Sequence, residues 1–311
     1  MDAAPVDRQS HMPRSSIGIL FSGGLDCTLL ARIAHDILPL QQEVDLLNVA
    51  FENPRVHRRT TGNDNVSPNS RSAYEACPDR INGRQSYKEL VELCHGRRWH
   101  LICIDVPYDE LCAHRSKIIA LLWPNKTEMD FSIGCALYFA ARGSGTTNDQ
   151  NTGESRHRLS CARVLLSGLG ADELFGGYSR HAVAFARGGS AALATELELD
   201  FQRIGERNLG RDDRVISHWG KEVRYPFLDE RIVRWALEAP VWQKCGFGQS
   251  SDGKGPDDPT KRILRLIAWD LGLEKVANLK KRAIQFGART AKMEVGTTKG
   301  HTELSIPAAE M

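Results

Sequence analysis

The sequence lacks any long apolar run and any marked excess of one charge. No segment approaches the roughly 18 consecutive apolar residues that a membrane-spanning helix needs, so we expect no such helix. Lysine and arginine number 41 against 39 acidic residues, and this near-neutral balance argues against a nucleic-acid partner. Residues 1–16 lack the apolar core of a secretory signal and predict a flexible leader.

Paired cysteine motifs are also missing. The chain has eight cysteines, but no two form a Cys-x-x-Cys pair, and no His/Cys cluster has the ligand spacing of a zinc site. This usage is typical of reduced, mostly buried thiols in a cytoplasmic protein. We therefore predict a cytoplasmic location with no membrane partner.

Short apolar runs alternate with stretches of helical periodicity up to about residue 172. This alternation is typical of an α/β fold with a doubly wound parallel sheet. Strand signals then fade, and helical stretches follow, the last of them over residues 275–292. The predicted organisation is a leader (1–16), a nucleotide-binding α/β domain (17–178) with insertions near 53–78 and 143–160, a helical part that completes the domain (179–293) and a disordered tail (294–311).

A glycine pair follows the first predicted strand, where the chain reads Ser22-Gly23-Gly24-Leu25-Asp26 before entering a helix. The glycines let backbone amides turn inward, and the helix N-terminus adds partial positive charge, so this turn can bind anionic oxygens. Asp26 would repel a phosphate directly, so we assign it to a Mg²⁺ ion that bridges phosphates. The competing interpretation is a plain strand–turn–helix connection with Asp26 as a cap.

A second acid-bearing turn follows the fourth predicted strand. It contains Ser167 and Gly168, and Asp172 lies four residues further on. Because the carboxyl ends of parallel strands meet at one edge of a sheet, we expect both turns to lie side by side. Asp172 could then share the Mg²⁺ or position pyrophosphate, and two such turns are hard to explain as plain connections.

These motifs, in this order, resemble the synthetase domain of asparagine synthetases. The family pattern continues at residues 217–229, 261–265 and 280–287, so the resemblance covers about residues 15–293. Segments at 130–134 and 207–216 are similar to those of the subgroup of asparagine synthetase domain-containing proteins. The resemblance implies a fold of the ATP-pyrophosphatase (adenine nucleotide alpha hydrolase-like) type.

The resemblance also implies a reaction. In that family the side-chain carboxylate of aspartate attacks the α-phosphate of ATP, giving β-aspartyl-AMP and magnesium pyrophosphate, and ammonia then displaces AMP to form asparagine. Carried over by motif, Lys281 stabilises charge on the phosphates during adenylation, and Glu222 and Arg224 lie near the substrate pocket. Without the resemblance, Lys281 would be interpreted as a solvated lysine.

The cofactors implied are ATP and Mg²⁺, with aspartate or a similar carboxylate and ammonia as substrates. Asp26 and Asp172 are the implied metal ligands, and Lys281 and Glu222 the implied catalytic residues. Val49 and Phe51 would flank the adenine. The full implied set of ATP and pyrophosphate contacts is Ser22, Gly23, Gly24, Asp26, Val49, Phe51, Ser167, Gly168, Asp172 and Lys261.

Three features depart from the family pattern. Leu169 stands where asparagine synthetases have a glutamate, and a leucine can neither hydrogen-bond ammonia nor transfer a proton. Cys27 replaces the usual serine, a mild change to a weaker donor. A glutaminase domain needs a nucleophilic cysteine exposed by removal of Met1, whereas Asp2 follows here. Glutamine hydrolysis is therefore not expected, and ammonia would come free or from a glutaminase domain or subunit outside this chain.

Three functions remain open on the sequence alone. The first is an ATP-dependent ligase that acts on an amino-acid carboxylate, supported by Asp26, Asp172 and Lys281. The second is a catalytically weakened homologue that binds nucleotide and acts as an interaction or regulatory module, supported by Leu169. The third is another ATP-pyrophosphatase, such as a tRNA-modifying or NAD-forming enzyme, against which the segment at 217–229 and the near-neutral charge argue.

Overall fold

A computed structural model of the chain describes residues 15–54, 70–150, 152–249, 255–291 and 300–304. The predicted leader lies outside these residues except for its last two positions. Most of the predicted insertion near 53–78 and most of the predicted tail at 294–311 also lie outside them. None of the described helices is long and apolar enough to cross a membrane.

One sheet of seven strands forms the centre of the structure. Its strands are β1 (Ile17–Leu20), β2 (Val44–Phe51), β3 (Trp99–Val106), β4 (Ser144–Asn148), β5 (Ser155–Leu159), β6 (Val164–Leu166) and β7 (Glu222–Arg224). Their spatial order is β5-β4-β3-β2-β1-β6-β7. Strands β3, β2, β1, β6 and β7 are parallel, whereas β4 pairs antiparallel with both β3 and β5. The predicted α/β fold is confirmed, but the sheet is mostly parallel rather than parallel throughout.

Thirteen α-helices connect and cover these strands in the described part of the chain. They are α1 (Leu25–Ile37), α2 (Ser70–Glu75), α3 (Pro78–Leu93), α4 (Tyr108–Leu122), α5 (Glu128–Arg142), α6 (Ala171–Phe175), α7 (Ser179–Ile204), α8 (Gly210–Ser217), α9 (Glu230–Glu238), α10 (Val241–Lys244), α11 (Arg262–Asp270), α12 (Glu274–Ala277) and α13 (Ile284–Gly287). A π-helical turn (Gly205–Leu209) joins α7 to α8, and a 3-10 turn (Pro226–Leu228) precedes α9.

Helices pack on both faces of the sheet. All eight residues of β2 are buried, as expected for a central parallel strand covered on both sides. Leu46 belongs to a core cluster with Ala31 of α1 and Leu90 of α3. The next residue, Leu47, belongs to the other core cluster, which includes Phe139 of α5. Successive side chains of β2 therefore point to opposite faces of the sheet.

The later helices pack on α1. Leu29 of α1 shares a third cluster with Phe175 of α6, Ala236 of α9, Ala268 of α11 and Val276 of α12. Because α1 begins directly after the first glycine pair, this packing brings the segment that leads into α11 beside the carboxyl end of β1.

Three strands were not predicted. Strands β4 and β5 form a hairpin within the predicted polar insertion at 143–160, and β7 lies beyond residue 172, where no strand was expected. The hairpin is polar and mostly exposed, so its strands are ordered by pairing with the edge of β3 rather than by an apolar pattern.

The helix predicted over residues 275–292 is wrong in the described part of that range. Helix α12 ends at Ala277, and α13 begins only at Ile284. The guanidinium group of Arg265 donates to the carbonyl oxygens of Ala277 at 2.7 Å and Leu279 at 2.8 Å. Arg265 therefore satisfies these carbonyl oxygens in place of the amides of a continuing helix, and the helix ends there. Residues 280–282 extend from this point to the site described next.

Candidate active site

The turn after β1 is held tightly against α3. Gly23 has a φ of +78°, and a Cβ atom there would lie 2.3 to 2.5 Å from backbone atoms of Asn82 and Gly83. The Ser86 hydroxyl donates to the Gly23 carbonyl at 2.7 Å. Only glycine fits this position, because any side chain would both strain the backbone and collide with α3.

The first turn of α1 is open to a ligand. Gly24 is the N-cap, and within the described chain no side chain caps the amide groups of this turn. The Ser22 hydroxyl accepts from the Gly24 amide at 3.3 Å, which holds it beside the turn. Uncapped amides at a helix N-terminus favour an anionic oxygen.

The turn after β6 lies directly against the first one. A Cβ atom at Gly168 would be 3.0 Å from the Cβ atom of Asp26, so the two turns approach at a glycine. Gly170 has a φ of +98° and packs against Leu228. The structure thus brings together the two acid-bearing turns that the sequence placed at one edge of the sheet.

Two lysines and two aspartates form a compact charge cluster between these turns. Lys261 Nζ lies 2.8 Å from both carboxylate oxygens of Asp26 and 3.0 Å from Asp172 Oδ1. Lys281 Nζ lies 3.0 Å from Asp172 Oδ2. The Lys261 side chain is only 3% exposed, whereas Lys281 is 20% exposed and more accessible to a ligand. Four charges of alternating sign therefore balance one another in a mostly buried position.

The cluster fixes the protonation of Asp172 and Lys261. Burial alone would raise the pKa of Asp172, but Lys261 and Lys281 outweigh it and hold that pKa at about 2. Burial raises the pKa of Asp26, with Lys261 opposing it. Burial would lower the pKa of Lys261, but Asp172 and Asp26 raise it above the usual lysine value. Asp172 is therefore ionised and Lys261 protonated at neutral pH.

Lys261 has an unusual backbone. Its φ of +51° is in the left-handed region, which a non-glycine residue seldom adopts. Its amide donates to the Phe175 carbonyl at 3.0 Å, which ties the start of α11 to the end of α6. Strain of this kind persists where the surrounding structure requires it, and here it directs the ammonium group between two carboxylates.

Tyr178 and Glu173 support Lys281, although no role was predicted for either residue from the sequence. Lys281 Nζ lies 3.8 Å from the centre of the Tyr178 ring. The Tyr178 hydroxyl donates to Glu173 Oε1 at 2.5 Å, and Glu173 Oε2 accepts from the Gly170 amide at 3.2 Å. Both residues belong to the motif segment that follows Ser167, and a site role could have been predicted for them from that position.

A cavity of about 180 Å³ opens onto this cluster. Its walls include both turns, Val49, Leu137, Ala140, Lys261, residues 279–282 and Ile284. Asp79, Asn82 and Arg265 also line it, although none of the three was predicted from the sequence to be a site residue. Of the predicted contacts, Ser22, Gly24, Asp26, Val49, Ser167, Gly168, Asp172, Lys261 and Lys281 line the cavity, and Gly23 lies just behind its wall.

The structure keeps Phe51, Glu222 and Arg224 away from this cavity. Phe51 is fully buried and packs edge-on against Phe139, with ring centres 5.7 Å apart. Glu222 and Arg224 form an exposed ion pair at 2.7 Å. Glu222 begins β7 and lies opposite the first residue of β6, whereas the cavity lies at the carboxyl ends of the strands. Leu169 does not line the cavity either.

The two carboxylates fit a divalent cation shared with phosphates. Asp172 Oδ1 is buried beside the Lys261 ammonium group at 3.0 Å, and a Cβ atom at Gly177 would lie 1.8 Å from it. The described part of the chain contains no group of three or more His, Cys, Asp or Glu side chains placed to hold a metal alone. This donor set suits Mg²⁺, which takes one or two carboxylates and completes its shell with water and substrate phosphates.

Comparison with known proteins agrees with the motifs. The family model described as asparagine synthase matches residues 155–188 and 183–306. The chain is 40% identical to asparagine synthetase domain-containing protein 1 of Gallus gallus, over 94% of this chain and 49% of that protein. It is 40% identical to the Homo sapiens protein of the same name, over 90% of this chain and 46% of that protein.

A more distant relative is the putative asparagine synthetase [glutamine-hydrolyzing] 1 of Methanocaldococcus jannaschii. It is 28% identical, over 89% of this chain and 46% of that protein. The chain spans about half the length of the curated relatives that it matches. The motifs and these matches together show that the chain belongs to the asparagine synthase family.

Proposed function

We propose that this chain binds ATP at the cavity and activates a carboxylate, as in asparagine synthesis. The observation that carries the proposal is the position of Lys281. Its ammonium group lies 3.0 Å from Asp172, is partly exposed, and lines a cavity whose other walls include the uncapped first turn of α1. A partly exposed cation beside a turn that can bind anions suits transfer of an adenylyl group, because negative charge grows on the α-phosphate and pyrophosphate.

Each group has a defined task in this proposal. The amides of the first turn of α1 and the Ser22 hydroxyl bind pyrophosphate oxygens. Lys281 leaves Asp172 and binds the α-phosphate, and Lys261 turns from the two carboxylates to contact the phosphates. Asp26 and Asp172 would hold Mg²⁺, which supplies a Lewis acid that neutralises charge on the phosphates. Val49, Leu137 and Ala140 provide an apolar wall suited to adenine.

The proposed reaction has two halves. The carboxylate oxygen of aspartate, or of a similar acid, attacks the α-phosphorus, and pyrophosphate leaves with the electron pair of the broken P–O bond. Ammonia then attacks the acyl carbon of the resulting β-aspartyl-AMP, AMP leaves, and one proton is lost to give asparagine. Ammonia would come free or from a glutaminase domain or subunit outside this chain.

We also propose that the fold is of the ATP-pyrophosphatase type. In this proposal residues 17–178 form the nucleotide-binding part and residues 179–293 complete the domain. The support is the position of the glycine pair after β1, at the carboxyl edge of the sheet and next to the strand, β6, that carries the second turn. A cytoplasmic location also remains a proposal, supported by eight free cysteines, six of them buried.

A second candidate function is nucleotide binding without amidation. It is favoured by Leu169, which replaces a family glutamate, and by the exposed position of Glu222 outside the cavity. Neither residue offers the ammonia half-reaction an acid or base in this arrangement. The charge cluster favours the ligase, because its four groups retain the parts needed for adenylation.

Pyrophosphate release distinguishes the two. The chain would be incubated with Mg-ATP, aspartate and ammonia, and pyrophosphate and asparagine measured for the natural chain and for Lys281→Ala. The exposed Lys275 provides a matched control as Lys275→Ala. Release that depends on Lys281 but not on Lys275, with asparagine formed, supports the ligase. ATP binding without any pyrophosphate release contradicts it and supports the binding function. If pyrophosphate is released without asparagine, Leu169→Glu tests whether the missing acid limits amidation.

A further inference from the structure

Asp79 is a buried acid in the wall of the cavity that the proposed reaction does not use. It is the second residue of α3 and is only 5% exposed. Asn48 Nδ2 donates to the Asp79 backbone carbonyl at 2.9 Å, and Pro78 begins the helix beside it. The backbone of this residue is therefore fixed, and its side chain lies at the cavity.

The Asp79 carboxylate has no hydrogen-bond donor among the described residues. On one side its oxygens rest against Gly287, where a Cβ atom would lie 1.9 to 2.2 Å from them. Arg282 attracts the charge but forms no ion pair with it within the described chain. Burial raises the pKa of Asp79 to about 7, with Arg282 opposing the rise.

A buried carboxylate without a donor destabilises the free protein. Such groups are normally hydrogen-bonded, so an exception in a cavity wall needs an explanation. A favourable interaction with the helix dipole is the plain explanation, because Asp79 is in the first turn of α3. The helix dipole does not explain why the Asp79 side chain is buried, because Asp109 occupies the same second position of α4 and is exposed.

We propose that Asp79 accepts a hydrogen bond from an N–H or O–H donor of the bound small molecule and forms a subsite on the α3 side of the cavity. This inference rests on the proposed function, since the donor belongs either to the nucleotide, as a hydroxyl or exocyclic amine, or to the amino group of the acceptor acid. Gly287 shapes the subsite, because its lack of a side chain lets the carboxylate lie against the segment that carries Lys280 and Lys281.

The test compares Asp79→Asn with Asp109→Asn in the full chain. Both variants remove one negative charge from the second position of a helix, so dipole effects are matched. Direct titration calorimetry with Mg-ATP and with aspartate measures binding without requiring turnover, and pyrophosphate release gives KM for each. Circular dichroism and thermal unfolding confirm that both variants fold. Gly287→Ala, which displaces the carboxylate but keeps its charge, is the second variant.

The expected result is binding at least tenfold weaker for one ligand in Asp79→Asn and Gly287→Ala, with Asp109→Asn unchanged. Loss confined to ATP identifies a nucleotide donor, and loss confined to aspartate identifies the amino group. Equal affinities for both ligands in the natural chain and Asp79→Asn overturn the subsite and leave the proposed function standing. A natural chain that binds neither ligand overturns the proposed function and the subsite together.

Discussion

Lys261 Nζ lies 2.8 Å from both carboxylate oxygens of Asp26, a residue 235 positions earlier in the chain. The same ammonium group contacts Asp172 at 3.0 Å. A single buried lysine thus joins the turn after β1, the turn after β6 and the start of α11. It neutralises two carboxylates that would otherwise repel each other, so it supports the site before any ligand binds.

Removing the Lys261 ammonium group should destabilise the protein, because the buried carboxylates of Asp26 and Asp172 then repel each other. In Lys261→Met, Asp26 and Asp172 lose the counter-charge that lies between them, and we expect the unfolding free energy to fall by about 3 kcal/mol at pH 7. Denaturant unfolding measures the loss. The double variant Lys261→Met/Asp26→Asn should recover a substantial part of it, because one of the repelling charges is gone. Additive losses in the two single variants and the double variant would contradict the coupling.

Replacement by alanine should destabilise the protein at Gly23 but not at Gly24. Gly23→Ala combines a φ of +78° with contacts of 2.3 to 2.5 Å to the backbone of α3, so we expect a loss of about 3 kcal/mol. At Gly24 the nearest atom to an added Cβ is 3.4 Å away and φ is −75°, so Gly24→Ala should fold with stability near that of the natural chain. Thermal unfolding of both variants checks the contrast. Equal losses would show that the turn is not held against α3.

Asp79 should make stability fall as pH rises. Its folded pKa is about 7, above the value of roughly 3.9 for an unfolded aspartate. A raised folded pKa favours the folded state at low pH, and this contribution is lost as pH rises through about 7. The stability of Asp79→Asn relative to the natural chain should therefore increase by about 2–3 kcal/mol between pH 5 and pH 8. Denaturation series without ligand measure it, with the exposed Asp109→Asn as the charge-matched control variant.

Tyr178 should position Lys281 through its ring more than through its hydroxyl. The ammonium group lies 3.8 Å from the ring centre, a contact worth about 1–2 kcal/mol when desolvated. Tyr178→Leu should lower kcat for pyrophosphate release about tenfold, and Tyr178→Phe less than threefold. Steady-state kinetics with saturating Mg-ATP provides the measurement. Equal effects of the two changes would assign the role to the hydroxyl and its contact with Glu173 instead.

The pattern of the sequence determined the parallel sheet and the two acid-bearing turns. Strands β2 and β3 are buried apolar segments, and such segments reveal themselves because both faces of a parallel strand need apolar side chains. The glycine pair and Asp26 were equally evident, since the backbone at Gly23 requires glycine and the acid follows three residues later. Strands β4, β5 and β7 were not predicted, because the β4–β5 hairpin is polar and mostly exposed and β7 is a short strand at the opposite edge, so all three carry little apolar signal.

Only the tertiary structure decided which charges meet. No local pattern distinguishes Lys261, buried between two carboxylates, from the exposed Lys275, because packing of α11 on α1 creates the difference. Phe51 is a second case: the family resemblance implied a place beside adenine, but packing encloses its side chain in the core. Asp79 is a third case, because it is buried against Gly287, more than 200 residues further along the chain. The sequence by itself determined the parallel sheet and its two glycine-containing, acid-bearing turns. Long-range packing decided the protonation, burial and partners of the charged groups around it, because the field at each group depends on neighbours distant in the chain.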